Sequence, residues 1–444
     1  MSTGKAKAAV APLSGHYDAI VVGAGMAGMA AAQKLRAAGL NALVVEARNR
    51  VGGRCFTNNS FPAPFDYGAQ LFHQVTPSKV DPGATHNPLF DIATSLGVEV
   101  KPVVGPAFIQ DGVPVKAAKS GPITIMYGLI STLIEEAGEE AKAAGDDESA
   151  AEATREVAKK RWFNLAMGLF ALQFGVSPDE ISARDIYRFS TLDGELGGKP
   201  YEYTVPSGMG NFVRRFADGL NVRLGVSVET IAWDGPKRVE VSTSGGKVTA
   251  DAVIVTVPVA LLQQGRPRFL PDLPAAHWSA IQNIRMGVVD KIGLRFSENV
   301  FGDLPASTPC LKYADDAILR MAICKFAGQN MANMFVNGEQ AERLEAMGKD
   351  ALVDYAGELI GDLFGSSARQ KIAGGIVNPW GSDPWAGGSF PIALPHHANA
   401  HRQLAKPLGR LHFAGDATSE LSYGTLVGAY ATGRAAAARI AAAR

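Results

Sequence analysis

The sequence predicts an α/β fold: a Rossmann-type domain with a parallel sheet, interleaved with a second, α+β domain. Three observations carry this expectation. A strand, a glycine turn, a helix and a second strand open the chain; an apolar strand pattern recurs at residues 252–257 (AVIVTV); a strand and a helix close it. Short apolar runs bounded by turn residues are what strands buried on both faces present, and alternation with helices gives a parallel sheet.

The elements follow in order. Residues 17–22 (YDAIVV) read as a buried strand, with Gly23, Gly25 and Gly28 directly behind it as GxGxxG. Residues 26–38 form an Ala-rich helix that stops before Gly39, and residues 41–45 a second strand that ends at Glu46. Residues 130–160 predict a helix interrupted by the solvated patch GDDES. Residues 221–230, 238–243 and 246–250 predict an antiparallel ribbon turned at Asp234-Gly235 and Ser244-Gly245. Beyond Pro271 come strands at 288–296 and 317–326, a helix at 340–363 and a Trp/Gly/Pro-rich segment at 378–395. A strand at 411–414 and a helix at 426–444 finish the chain. The expected division is a discontinuous cofactor domain (16–80, 203–275 and 408–444), a substrate-binding domain (81–202 and 276–407) and a flexible N-terminus (1–15).

Composition narrows the function. Basic and acidic residues balance at 43 each, without the basic excess that nucleic-acid binding needs. The 47% apolar content suits large cores. Cys55, Cys310 and Cys324 form no CxxC, which speaks against a disulfide scaffold or structural zinc and for a reducing compartment. His397 and His401 stand at i, i+4, but a helix start with polar caps accounts for them better than a metal site. The first fifteen residues lack an apolar signal core, and no apolar run reaches the roughly 20 residues of a membrane span. The expectation is a cytoplasmic protein without nucleic-acid or membrane partners; a homodimer stays open.

The glycine motif carries the first chemical statement. Gly23 makes a tight turn, Gly25 admits a pyrophosphate to the backbone, and Gly28 lets helix pack on strand. The helix N-terminus adds N–H groups and partial positive charge. Glu46, eighteen residues after Gly28, is placed to accept from ribose hydroxyls. Arg48, Gly53 and Arg54 then extend the loop beyond what a nicotinamide dinucleotide uses. At the other end, residues 411–418 (LHFAGDAT) set Gly415 and Asp416 at a second helix start, suited to a ribityl chain and pyrophosphate. Two cofactor elements at opposite ends of the chain point to one extended ligand, FAD.

Nearly the whole chain resembles the flavin-containing amine oxidase family, which includes monoamine oxidases, polyamine oxidases and the lysine-specific histone demethylase. The resemblance rests on residues 46–57, 65–69 (FDYGA), 203–209 (YTVPSGM), 251–258 (DAVIVTVP), 290–294 (DKIGL), 380–385 (WGSDPW) and 413–419 (FAGDATS). It implies hydride removal from a carbon beside an amine nitrogen onto flavin N5, imine hydrolysis, and reoxidation by dioxygen or another acceptor. It also implies that Lys291 holds a water near flavin N5. Trp380, Trp385 and Phe390 are the implied aromatic wall, with Trp380 also against the cofactor. Where monoamine oxidases place two tyrosines, this sequence has Phe390 and Thr425, a departure that resembles the demethylase and polyamine-oxidase branch. Ser389 stands where those enzymes attach FAD through cysteine, so the FAD is expected to be non-covalent. His73 matches a histidine near the polyamine-oxidase pocket, and Tyr423 is a further pocket candidate.

Alternatives stay open at this level. An L-amino-acid oxidase of the same fold needs an arginine for the substrate carboxylate. Gln70-Leu71-Phe72 occupies the usual place, leaving Arg184, Arg188 or Arg285. A dehydrogenase with a protein electron acceptor and a non-catalytic flavin-binding protein are the others. Asp193 and Glu195, in an expected loop at 191–200, are candidates to meet a polyamine.

Overall fold

The computed structural model describes residues 12–75, 87–103, 108–110, 113–115, 121–195, 201–314 and 318–444. Most of the expected flexible N-terminus lies outside them. The opening pattern folds as read: β1 (His16–Val22), α1 (Met26–Ala37) and β2 (Ala42–Val45). β1 pairs in parallel with β2 on one side and with Gly246–Val255 on the other. Its side chains are buried on both faces. Ala19 and Val21 pack under α1 and the closing helix Leu426–Ala442, while Ile20 and Val22 join the opposite core. Gly28 is obligatory: a Cβ there would stand 1.9 Å from Gly23 O, so α1 could not sit this close to the turn.

The eight-stranded sheet runs Val222–Arg223, β2, β1, Gly246–Val255, Val239–Thr243, Val228–Ala232 and Arg268–Leu270. Leu411–Phe413 pairs in parallel with the last three residues of Gly246–Val255. Thus Leu411–Phe413 lies one strand away from β1, across Gly246–Val255, while the closing helix Leu426–Ala442 shares a core with α1. Two expectations are corrected here. Residues 246–250 and 252–255 are one strand whose first half belongs to the antiparallel ribbon and whose second half belongs to the parallel sheet. Residues 221–230 divide, because Val222–Arg223 pairs with β2 while Val228–Ala232 joins the ribbon.

A second, seven-stranded sheet contains Val289–Phe296, Met331–Asn337, Ile318–Cys324 and Thr308–Ala314. Strand alternation sends Ile292, Leu294 and Phe296 into a core under the helices Gly338–Met347 and Lys349–Phe364. Lys291 and Phe335 point from the opposite face into a large cavity. The single helix expected at 340–363 is two, broken at Gly348, whose φ of +102° favours glycine. The helix expected from residue 130 starts earlier, at Pro122, a residue suited to a first helical turn, and ends at Glu140. Pro122–Glu140, Phe163–Leu172 and Ala183–Glu195 then wall the cavity from a third side. Residues 191–195 are helical rather than loop, and the side chains of Asp193 and Glu195 lie outside the described ones. Among the described residues no helix is long and apolar enough to cross a membrane.

Candidate active site

One cavity of about 1600 Å³ runs from the glycine turn to the three-helix wall. That exceeds the roughly 300–1,000 Å³ of a typical small-ligand site, so it has room for a long cofactor and a substrate together. Gly23, Gly25, Glu46, Arg48, Gly53, Arg54, Gly415 and Asp416 line one part of it. A Cβ at Gly25 or Gly415 would meet no protein atom within 4 Å. The α1 N-terminus has no side-chain cap. Open backbone beside an uncapped helix start is the form an anionic pyrophosphate fits. Glu46 is buried, taking Ala24 N–H at 2.7 Å and Arg48 N–H at 2.8 Å. A carboxylate has about four lone-pair sites, so acceptor capacity remains for ribose hydroxyls.

The two cofactor elements meet through Arg54. Its guanidinium donates to Ser389 O at 2.7 Å and to Asp416 Oδ1 at 2.6 Å, joining positions 362 residues apart. Asp416 therefore acts first as the anchor of Arg54. Arg48 is likewise held, bidentate on Asp383 at 2.7 and 3.1 Å. Breaking a largely buried pair leaves an uncompensated charge. Arg54→Ala is expected to destabilise the flavin-free protein by about 3 kcal/mol, measured by denaturant unfolding.

Lys291 lies at the junction between the cofactor part and the helical wall. Its ammonium donates to Gly68 O at 2.8 Å and to Gln70 Oε1 at 2.9 Å, with the Phe335 ring 5.9 Å away. Burial pulls its pKa down to about 8, opposed by the charge of Asp66. Asp66 is itself buried, accepting from Thr57 Oγ1 and Met209 N, and burial pushes its carboxyl up. Trp380 is 1% exposed and donates its indole N–H to Tyr67 O at 3.0 Å, so it forms a fixed wall. Trp385 lines the same cavity, with the guanidinium of Arg266, another lining residue, 4.6 Å from its ring.

Phe390 and Tyr423 line the far part with Tyr127, Phe170 and Phe189. Tyr423 stacks on buried His401 at 4.9 Å, and both His401 nitrogens are engaged, by Ala417 O and Asp185. Thr425 lines the cavity too, but its hydroxyl caps the closing helix, donating to Ser422 O and accepting from Gly428 N. His73 pairs with Glu202 at 2.9 Å where both are about two-fifths exposed, at the cavity mouth. Gln70, Asp66, Tyr127 and Glu202 were not singled out as functional from sequence. Asp66 lies within the matched stretch 65–69 and Gln70 directly follows it, the one signal that pointed to them.

Fold and cavity together define a flavoprotein oxidoreductase that binds its dinucleotide cofactor across a Rossmann-type sheet. The chain belongs to the flavin containing amine oxidoreductase family, whose model matches residues 26–441, and it is an FAD-dependent enzyme acting on CH–NH or CH–NH2 groups. It is 29% identical to Polyamine oxidase 3 of Oryza sativa subsp. japonica, over 95% of this chain and 88% of the relative. The cyclohexylamine oxidase structure from Brevibacterium oxydans IH-35A superposes with a TM-score of 0.79 at 23% identity, covering 96% of this chain and 99% of that one. A triple mutant of putrescine oxidase gives 0.80 at 21% identity, covering 97% and 100%. At these identities the structural matches speak for the fold.

Proposed function

We propose that this chain oxidises a primary or secondary amine with an apolar body, passes the electrons to dioxygen, and holds its FAD without a covalent bond. The observation that carries the reading is Lys291. Its ammonium is fixed at the inner end of an aromatic-walled cavity, where the cofactor elements and the substrate walls meet, and burial pulls its pKa down to about 8. When bound, the flavin supplies acceptance of hydride from the carbon beside the amine nitrogen. The chain's own residues do the rest. Phe390, Tyr423 and Phe189 exclude water and favour the neutral amine. Glu202, paired with His73, presents a carboxylate to an approaching ammonium at the mouth. Ser389 supports non-covalent FAD, because it offers no thiol and its hydroxyl donates to Val289 O and accepts from Val289 N. The cofactor domain is proposed as residues 16–80, 203–275 and 408–444.

The amino-acid reading loses its candidates. Arg184 donates to Gly138 O and Ala141 O, Arg188 to Ala398 O and Asn399, and Arg285 pairs with Glu180 and Glu342. None of the three is among the described residues lining the cavity. The test is anaerobic mixing with primary amines, polyamines, cyclic secondary amines and L-amino acids, followed by air. Flavin bleaching by one amine class, with hydrogen peroxide on reoxidation, is expected. Bleaching by amino acids alone, or bleaching that air does not reverse, refutes this reading.

A further inference from the structure

Behind the cavity wall, two carboxyl groups from different elements converge on one turn of backbone. Asp290, fully buried, accepts from Trp380 N–H at 2.9 Å through Oδ1. Glu345, from the Gly338–Met347 helix, accepts from Gly381 N–H at 2.8 Å and from Ser382 N–H at 2.5 Å, one on each oxygen. Both Glu345 oxygens are therefore acceptors, and Glu345 carries the charge. Asp290 Oδ2 has no protein donor. Two charged carboxylates buried together repel, and one shared proton removes the conflict. Asp290 has the oxygen to spare, so the proton belongs on Oδ2, donated toward Glu345.

We propose that Asp290 is a neutral carboxylic acid, bonded to Glu345, that positions the turn at Trp380 and through it the ammonium of Lys291. The path is closed and short. Trp380 holds Tyr67 O, and the next carbonyl, Gly68 O, receives Lys291. A Cβ on Gly68 would stand 3.1 Å from the Trp380 ring, so the two pack without slack. Lys291 in turn follows Asp290 in the chain and projects from the opposite face of the strand. Burial and the neighbouring Glu345 push the Asp290 carboxyl up to about 8, in keeping with this geometry; Glu345 is the charged group that acts on it.

The proposal rests on the cavity being a flavin site, and its test has one arm that uses no flavin. An amide imitates a neutral acid: Asp290→Asn keeps an acceptor for Trp380 N–H and a donor for Glu345. Asp290→Ala removes the bridge, and Glu345→Gln turns an acceptor toward the backbone into a donor. With saturating amine, flavin reduction in Asp290→Ala and Glu345→Gln is expected to slow by about tenfold or more while KM moves less than about threefold. Asp290→Asn is expected to restore most of that loss. In the flavin-free proteins, wild type is expected to lose thermal stability relative to Asp290→Asn as pH rises from about 6 to about 9. The sign follows from a folded-state pKa above the unfolded value of about 3.9: the stabilisation is complete at low pH and is lost as pH climbs through the folded pKa. Asp290→Asn as slow as Asp290→Ala overturns the proposal, and so does a stability difference that stays flat with pH. Should no amine reduce the flavin in any variant, the functional reading fails separately, and the stability arm still decides the protonation of Asp290.

Discussion

Gly25→Val is expected to yield folded, colourless protein. Gly25 has φ −73° and ψ −179°, extended backbone that a β-branched residue adopts without strain. A Cβ there meets no protein atom within 4 Å, so the side chain enters the cavity at the helix start where a pyrophosphate fits. The backbone cost is small, and removing a glycine from the unfolded chain can even stabilise by about 0.4–1 kcal/mol. Flavin-free stability is therefore expected within about 1 kcal/mol of wild type, while flavin content falls below about one-tenth. Gly28→Ala supplies the contrast. Its Cβ would overlap Gly23 O at 1.9 Å, so α1 must shift and the apoprotein itself is destabilised. Absorbance of the purified variants, FAD titration and denaturant unfolding separate the two effects. A yellow, active Gly25→Val protein would place the cofactor elsewhere.

That contrast also shows what the sequence makes legible. GxGxxG reports local requirements, a tight turn and a close helix, and these act within a dozen residues of one another. The same holds for the closing strand at 411–413 and the break-free opening helix. Elements whose pairing is decided at long range were less readable. The long strand Gly246–Val255 serves two sheet halves, a fact settled by its partners rather than by its own pattern. Gly348 interrupts an otherwise continuous helical stretch, and its positive φ is visible only once the next helix has its direction. At the site, Lys291 was marked by the motif around it, whereas Gln70 was read as a missing arginine. Its carbonyl oxygen proves to hold the ammonium. Asp290 stands in the matched stretch 290–294, but nothing in the sequence marked it or Glu345 as members of a pair. They become a pair because a turn 90 residues beyond Asp290 and 36 beyond Glu345 needs three acceptors.

Lys291→Met is expected to keep FAD and the fold but to slow turnover by about 100-fold, the usual effect of deleting one preorganised donor. Methionine matches the lysine stem in volume, so the loss is the charge and two hydrogen bonds. Gly68 O and Gln70 Oε1 would each lose a donor, at about 1–3 kcal/mol per buried group, offset by removal of a buried ammonium. Net stability should therefore change little compared with the rate. The two half-reactions separate the causes: reduction by amine without air, then reoxidation with air. A dioxygen molecule taking up electrons gains negative charge, which a nearby ammonium favours, so the air step should carry most of the loss. The pH dependence has a defined sign. Lys291 loses its proton above about 8, so the wild-type air step should slow as pH rises through that value, and the inflection should vanish in Lys291→Met. Half-reactions within twofold of wild type, or an unchanged inflection, would remove Lys291 from the reaction and leave it a structural prop between Gly68 and Gln70.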